Sequence, residues 1–119
     1  MFIKDLHDCE PFRAGDGTLL RELLHPDKAK IDLRYSLAYA IVGPGQSSRL
    51  HRLKTSEVYY ILEGKGSMHI DNEMAEVFPN QAVYIPPHSR QFIQNTGDTE
   101  LRFLCIVDPA WIAENEVVL

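Results

Sequence analysis

Glu57 is the first residue that asks for a chemical explanation. It heads the run Glu57-Val58-Tyr59-Tyr60-Ile61-Leu62, in which every other residue is apolar, so both faces of such a strand would be buried. An isolated carboxylate in that setting is costly and must be paired, protonated or bound to something. His51, Leu53, Glu57, Tyr59 and Ile61 share one parity, so if residues 49 to 62 run as paired strands these side chains point the same way. Gln91, Ile93 and Asn95 would do the same on a facing strand. The candidate partners of Glu57 are therefore His51, Gln91 or a cation. A carboxyl whose pKa is raised by burial, with an imidazole beside it, is equipped to move protons.

The elements that must position these residues read as all-β. The seven glycines and seven prolines fall between apolar segments rather than inside them, as turns punctuate strands. Between them lie short β-type runs at 19–24, 33–42, 49–53, 57–62, 67–70, 74–78, 82–85, 91–95 and 101–107, a spacing that suggests a sandwich or barrel. In residues 33 to 42, Leu33, Tyr35, Leu37, Tyr39 and Ile41 alternate with Arg34, Ser36, Ala38 and Ala40, so one face carries bulk and the other small or polar groups. Glu63-Gly64-Lys65-Gly66, Asp71-Asn72-Glu73 and Thr96-Gly97-Asp98-Thr99 fit tight links between antiparallel strands. The stretch from Asp108 to Glu116 is expected to form one short helix, capped by Asp108 with Pro109 in its first turn, whose Trp111 anchors the tail to the barrel.

Charge narrows the partners. Twelve Lys and Arg against 17 Asp and Glu give a formal charge of −5, and the basic residues are scattered, which argues against nucleic acid and against an anionic membrane surface. The start of the chain has no apolar run of signal-peptide length and no stretch approaches a bilayer span, so a cytoplasmic location is expected. Cys9 and Cys105 have neither paired nor metal-type spacing and read as reduced thiols, Cys105 packing as a small hydrophobe. With 119 residues the chain has the size of one domain and can hold an apolar interior without a disulfide or a structural metal.

Two stretches resemble the paired motifs of the cupin superfamily. The first, residues 45 to 64, runs Gly45, five residues, His51, one residue, Leu53 at a position normally His, three residues, Glu57, six residues, Gly64. The second, residues 80 to 95, carries Pro86, His88 at a glycine position, Gln91 at a His position, and Asn95. The resemblance implies one cupin domain over residues 1–119, a double-stranded β-helix or jelly-roll barrel, here with a short C-terminal helical tail. In metal-binding cupins the motifs supply three His and one Glu; here they supply His51, Leu53, Glu57 and Gln91. The implied metal set is thus His51, Glu57 and Gln91, a loose fit to Mn²⁺, Fe²⁺, Ni²⁺ or Zn²⁺. The alternative is no metal at all, with His51 and Glu57 kept as a polar network in an apolar cavity. A missing ligand could come from His88, His25 or His69, although His88 reads as a loop residue and His7 and His25 as surface or turn residues.

Three functions are compatible with this pattern. The first is a barrel that takes a small polar ligand in its mouth, lined by His51, Leu53, Glu57, Tyr59, Gln91 and Ile93, with Arg49 facing in by parity. The second is an enzyme resembling sugar-phosphate isomerases and epimerases, or metal-dependent dioxygenases; in a metal-free version Glu57 would serve as base and His51 as acid, and in a metal version the ion would polarise the carbonyl instead. The third is a homodimer paired through flanking apolar strands such as 19–24 and 101–107.

Overall fold

A computed structural model describes residues 1–119 and places the chain in two facing antiparallel sheets. The strands are β1 (Phe12–Arg13), β2 (Leu19–Leu24), β3 (Ser36–Val42), β4 (His51–Leu53), β5 (Ser56–Glu63), β6 (Gly66–Ile70), β7 (Glu73–Val77), β8 (Ala82–Ile85), β9 (Gln91–Asn95), β10 (Leu101–Asp108) and β11 (Glu116–Val118). One sheet has the order β1-β2-β3-β10-β5-β8 and the other β11-β4-β9-β6-β7. Helical structure is confined to two three-residue 3-10 turns, Leu6–Asp8 and Ala113–Asn115.

Period-two alternation sets the core. In the larger sheet the rows Ala40-Phe103-Ile61, Ala38-Cys105-Tyr59 and Ser36-Val107-Glu57 lie side by side on the inner face. Phe103, Ile61, Ile85 and Leu101 are fully buried there, and Ile93 meets them from the facing sheet, each contributing about 1.5–3 kcal/mol of apolar transfer. The small residues of β3 face inward and the bulky ones outward, so the interior beside Ser36 and Ala38 is not filled. That is where the barrel keeps a cavity.

Several expectations are revised. The tail does not form a helix: Trp111 N donates to Ser36 Oγ (3.0 Å) and Ala110 N to the Arg34 carbonyl (2.8 Å), which holds the chain extended against the barrel. Only Ala113–Asn115 turns, and β11 then pairs with β4. β5 is not buried on both faces within this chain, since Tyr60 and Leu62 are exposed. β10 is not an edge, because it lies between β3 and β5.

Two turns show why certain residues stand where they do. Gly64 has φ 82° and an added Cβ would lie 2.7 Å from the Glu100 carbonyl oxygen, so no other residue fits without a shift. His88, at the motif's glycine position, does take the left-handed conformation, with φ 66°.

Candidate functional site

The cavity lies between the sheets at one end of the barrel. It encloses about 260 Å³ and is walled by β2, β3, β4, β5, β10, the β1–β2 loop and the C-terminal segment. Its apolar wall includes Leu20, Ala38, Leu53, Phe103, Cys105 and Val107. Its polar wall is formed by Asp16, His51, Glu57, Tyr59 and Glu116, with Glu22 and Ser36 beside them.

His51 opens β4 with its ring turned inward and buried. Its Nδ1 lies 2.7 Å from the Arg49 carbonyl, which accepts from Nδ1–H and so turns Nε2 to the cavity. Nε2 lies 3.5 Å from Asp16 Oδ2. Asp16 is itself fixed, because Thr18 N and Thr18 Oγ1 both donate to its Oδ1 (3.0 and 2.7 Å). Arg49 N donates to the Asp16 carbonyl, tying the β1–β2 loop to the approach to β4.

Glu57 stands one row along, on β5. Gln91 Nε2 donates to its Oε1 at 3.0 Å, and Tyr59 OH donates to Gln91 Oε1 at 3.2 Å. Burial pushes the Glu57 carboxyl up to about 8, with Asp16 and Glu116 adding to the rise and the Gln91 bond opposing it. Glu57 is therefore a neutral acid near pH 7. Burial likewise raises the Tyr59 phenol and the Cys105 thiol, with Glu57 adding to both. Cys105 is accordingly an inert part of the wall.

The expected same-side placement of His51, Leu53, Glu57 and Tyr59 holds, and all four line the cavity. Three other expected lining residues do not. Gln91 lies behind Glu57 and holds it from outside the cavity. Ile93 has no exposed surface and belongs to the core. The Arg49 side chain is exposed, because β4 begins only at His51 and the residues before it do not keep strand parity; its backbone, not its guanidinium, serves the site. His88 is exposed, and His69 stacks on Phe92 with ring centroids 4.1 Å apart. His25 is buried rather than at the surface: its Nε2 bonds the Trp111 carbonyl (2.7 Å) and its Nδ1 accepts from Asp27 N.

Sequence reasoning missed Asp16, Glu116 and the cavity role of Trp111. Glu116 pairs with Leu53 in the β11–β4 register, so it enters beside the position where the motif lacks its second His. Trp111 Nε1 donates to Glu116 Oε2 at 2.9 Å and holds it there. The signal available was the β-branched pair Val117-Val118 after Glu116, which is too short to be read as a strand alone.

These donors do not fit a transition-metal centre. The amide oxygen of Gln91 accepts from Tyr59, its nitrogen faces Glu57, and the side chain lies outside the cavity lining, so it is not placed as a third ligand beside His51 and Glu57. Leu53 offers no donor, and no three His, Cys, Asp or Glu side chains are grouped so as to hold a metal ion.

Comparison with known proteins agrees with the fold. The chain is 43% identical to the uncharacterized protein MJ1618 of Methanocaldococcus jannaschii over 119 aligned residues, covering 98% of this chain and 94% of that protein. It is 31% identical over 90 residues to the oxalate-binding protein of Thermotoga maritima, covering 75% of this chain and 69% of that one. Among solved structures it is similar to a Cupin 2 conserved barrel domain protein from Salinispora arenicola, with TM-score 0.79 at 20% identity, covering 96% of this chain and 91% of that one. It is also similar to a predicted oxalate decarboxylase from Thermotoga maritima, with TM-score 0.79 at 22% identity, covering 91% of this chain and 99% of that one. Residues 38–107 match the family described as the cupin domain, Cupin 2. With more than half of its length in that match and a barrel of the same topology around His51 and Glu57, the chain belongs to the cupin family.

Proposed function

We propose that residues 1–119 act as one cupin barrel that binds a small polar organic molecule in the cavity at His51 and Glu57, without a transition metal. The observation that carries this reading is an enclosed space of about 260 Å³ with buried polar groups aimed into it. At ~30 Å³ per water it has room for roughly eight or nine waters, the size of a small metabolite. Asp16 Oδ2 and Glu57 Oε2 receive no hydrogen bond from the protein, so a ligand that bonds them replaces water without leaving a buried group unmet. The oxalate-binding protein of Thermotoga maritima is a relative named for a small-molecule ligand, which supports this class of function.

The test is native mass spectrometry of the purified chain beside Ala38→Phe, which fills the cavity from its β3 wall. A small molecule carried by the native protein and lost from a folded Ala38→Phe variant supports the reading; retention of the same molecule by the filled variant refutes it.

A second reading follows from one observation, a carboxylic acid near pKa 8 in the same cavity as a histidine of fixed tautomer. Such a pair suits proton transfer between neighbouring carbons of a carbonyl substrate, as in an isomerase or epimerase. Turnover that falls in both Glu57→Gln and His51→Gln, with ligand affinity kept, would favour it.

The same reading extends to a homodimer. On the outer face of the larger sheet, Leu37, Ile106 and Val58 lie in one row and Tyr39, Leu104 and Tyr60 in the next. Tyr60 is exposed and the other five are half-buried, with Arg21 and Arg102 bordering them and Arg102 Nη1 donating to Tyr39 OH at 2.8 Å. Light scattering should give twice the chain mass for the native protein and the chain mass for Ile106→Glu; a native monomer rules the pairing out.

A further inference from the structure

The walls of the cavity differ in charge from what a small dianion requires. Four carboxyl side chains line it, Asp16, Glu22, Glu116 and the neutral acid Glu57, against His51 and one arginine, Arg13. Arg13 is exposed at the rim and spends Nη1 on the Gly17 carbonyl at 3.1 Å. Glu22 is neutralised from outside by Lys28 Nζ. No lysine lines the cavity, and Arg49, the cation expected to face in, is outside it.

Two further observations point to what would occupy such a space. Asp16 and Glu57 are each more than nine-tenths buried, and each keeps one carboxyl oxygen free of protein hydrogen bonds. Glu116 Oε2 is held by the Trp111 indole, which leaves Oε1 as a further acceptor. The rim is aromatic, with Trp111 and Phe12 both in the lining, and Phe12 already receives a cation on its ring, Lys28 Nζ at 5.4 Å from the centroid.

Building on the ligand-binding reading above, we infer that the cavity selects a small organic cation, an ammonium with a compact apolar body, and rejects dicarboxylates such as oxalate. The free oxygens of Asp16 and Glu116 accept from the ammonium, and the aromatic rim covers its apolar part. The wall of Leu20, Leu53, Phe103 and Val107 takes what remains of that body. A dicarboxylate placed here meets the Asp16 and Glu116 carboxyls, with Arg13 at the exposed rim as the one arginine of the lining, and loses its hydration with little in return. The relatives named for oxalate share the barrel, whereas the sign of the charge it receives is set by the residues of this chain's own loop and tail.

The experiment is isothermal titration of the full chain with four probes: benzylamine, benzyl alcohol, benzoate and oxalate. Asp16→Asn and Glu116→Gln are titrated alongside. Both substitutions keep the shape and an acceptor oxygen, for Thr18 and for Trp111 respectively, and their melting temperatures check the fold. The expected result is binding of benzylamine in preference to benzyl alcohol, no binding of benzoate or oxalate, and a loss of about tenfold or more in benzylamine affinity in each folded variant. Benzoate or oxalate binding as tightly as benzylamine overturns the inference while leaving a ligand-binding barrel in place. Benzylamine affinity unchanged in both variants overturns it as well. Failure of all four probes to bind, with no small molecule carried by the purified protein, overturns the ligand-binding reading and this inference together.

Discussion

Replacing Glu57 by Gln should stabilise the protein, and more so as the pH rises. Below pH ~4.5 the Glu57 carboxyl is protonated in both the folded and the unfolded chain, and ionisation contributes nothing. Above that, the unfolded chain releases its proton while the folded one, whose carboxyl titrates at about 8, keeps it. Stability therefore falls as pH rises between these values and levels off above about 8. A rise from the ordinary 4.5 to about 8 corresponds to about 5 kcal/mol at ~1.4 kcal/mol per pH unit. That is an upper bound, because Glu57 Oε2 faces a cavity large enough for water, and hydration there relieves part of the burial cost. The amide introduced by Glu57→Gln keeps an acceptor for Gln91 Nε2 and carries no titrating proton, so the stability of the variant does not include this slope. Urea unfolding of both proteins at intervals from pH 5 to pH 8.5 gives the difference directly. We expect it to grow by about 2–4 kcal/mol across that range in favour of Glu57→Gln. A difference that stays flat would mean that Glu57 is ionised in the folded protein at ordinary carboxylate pH, and the account of the site as a neutral acid would fail.

The remaining predictions test other parts of the structure. His88→Gly should gain about 0.5–1 kcal/mol, because the left-handed φ of 66° costs a side chain more than the extra freedom of glycine costs the fold; a lower melting temperature would contradict this, and ligand affinity should not change. Gly64→Ala should lose about 1–3 kcal/mol in urea unfolding, from a φ of 82° and a Cβ 2.7 Å from the Glu100 carbonyl oxygen; a loss under ~0.5 kcal/mol would show that the β5–β6 turn yields. The double variant Leu53→His, Gln91→His should bind Ni²⁺ or Zn²⁺ stoichiometrically in calorimetry where the native chain does not, since it frees Glu57 from the amide and adds two imidazoles. Equal binding by the native chain would show that Gln91 is not committed to Glu57 and Tyr59.

Much of the barrel was legible in the sequence because strand parity is a local property. The alternation His51, Leu53, Glu57, Tyr59 already points four cavity residues to one side, whatever the strands later pair with. Parity failed where no strand formed, as at Arg49, and could not say which face of β3 turns inward. The face that turns inward is the small one, Ser36, Ala38 and Ala40, and it shares the interior with Tyr59 and Phe103, whose ring centroids lie 4.5 Å apart. The partner of Glu57 was named among the alternatives, but its role changes. Gln91 is a donor that fixes the acid rather than a ligand beside it.

By itself, then, the sequence determined an all-β cupin barrel and an inward His51 and Glu57, because turn residues and period-two patterns act over a few neighbouring positions. Only the tertiary structure decided what surrounds that pair. Asp16 comes from a loop near the start of the chain, and Glu116 and Trp111 come from its last residues. They meet because β11 pairs with β4 and because the β1–β2 loop is tied to the Arg49 backbone. Those pairings join residues far apart in the chain, so no local pattern encodes them, and they set the charge of the cavity.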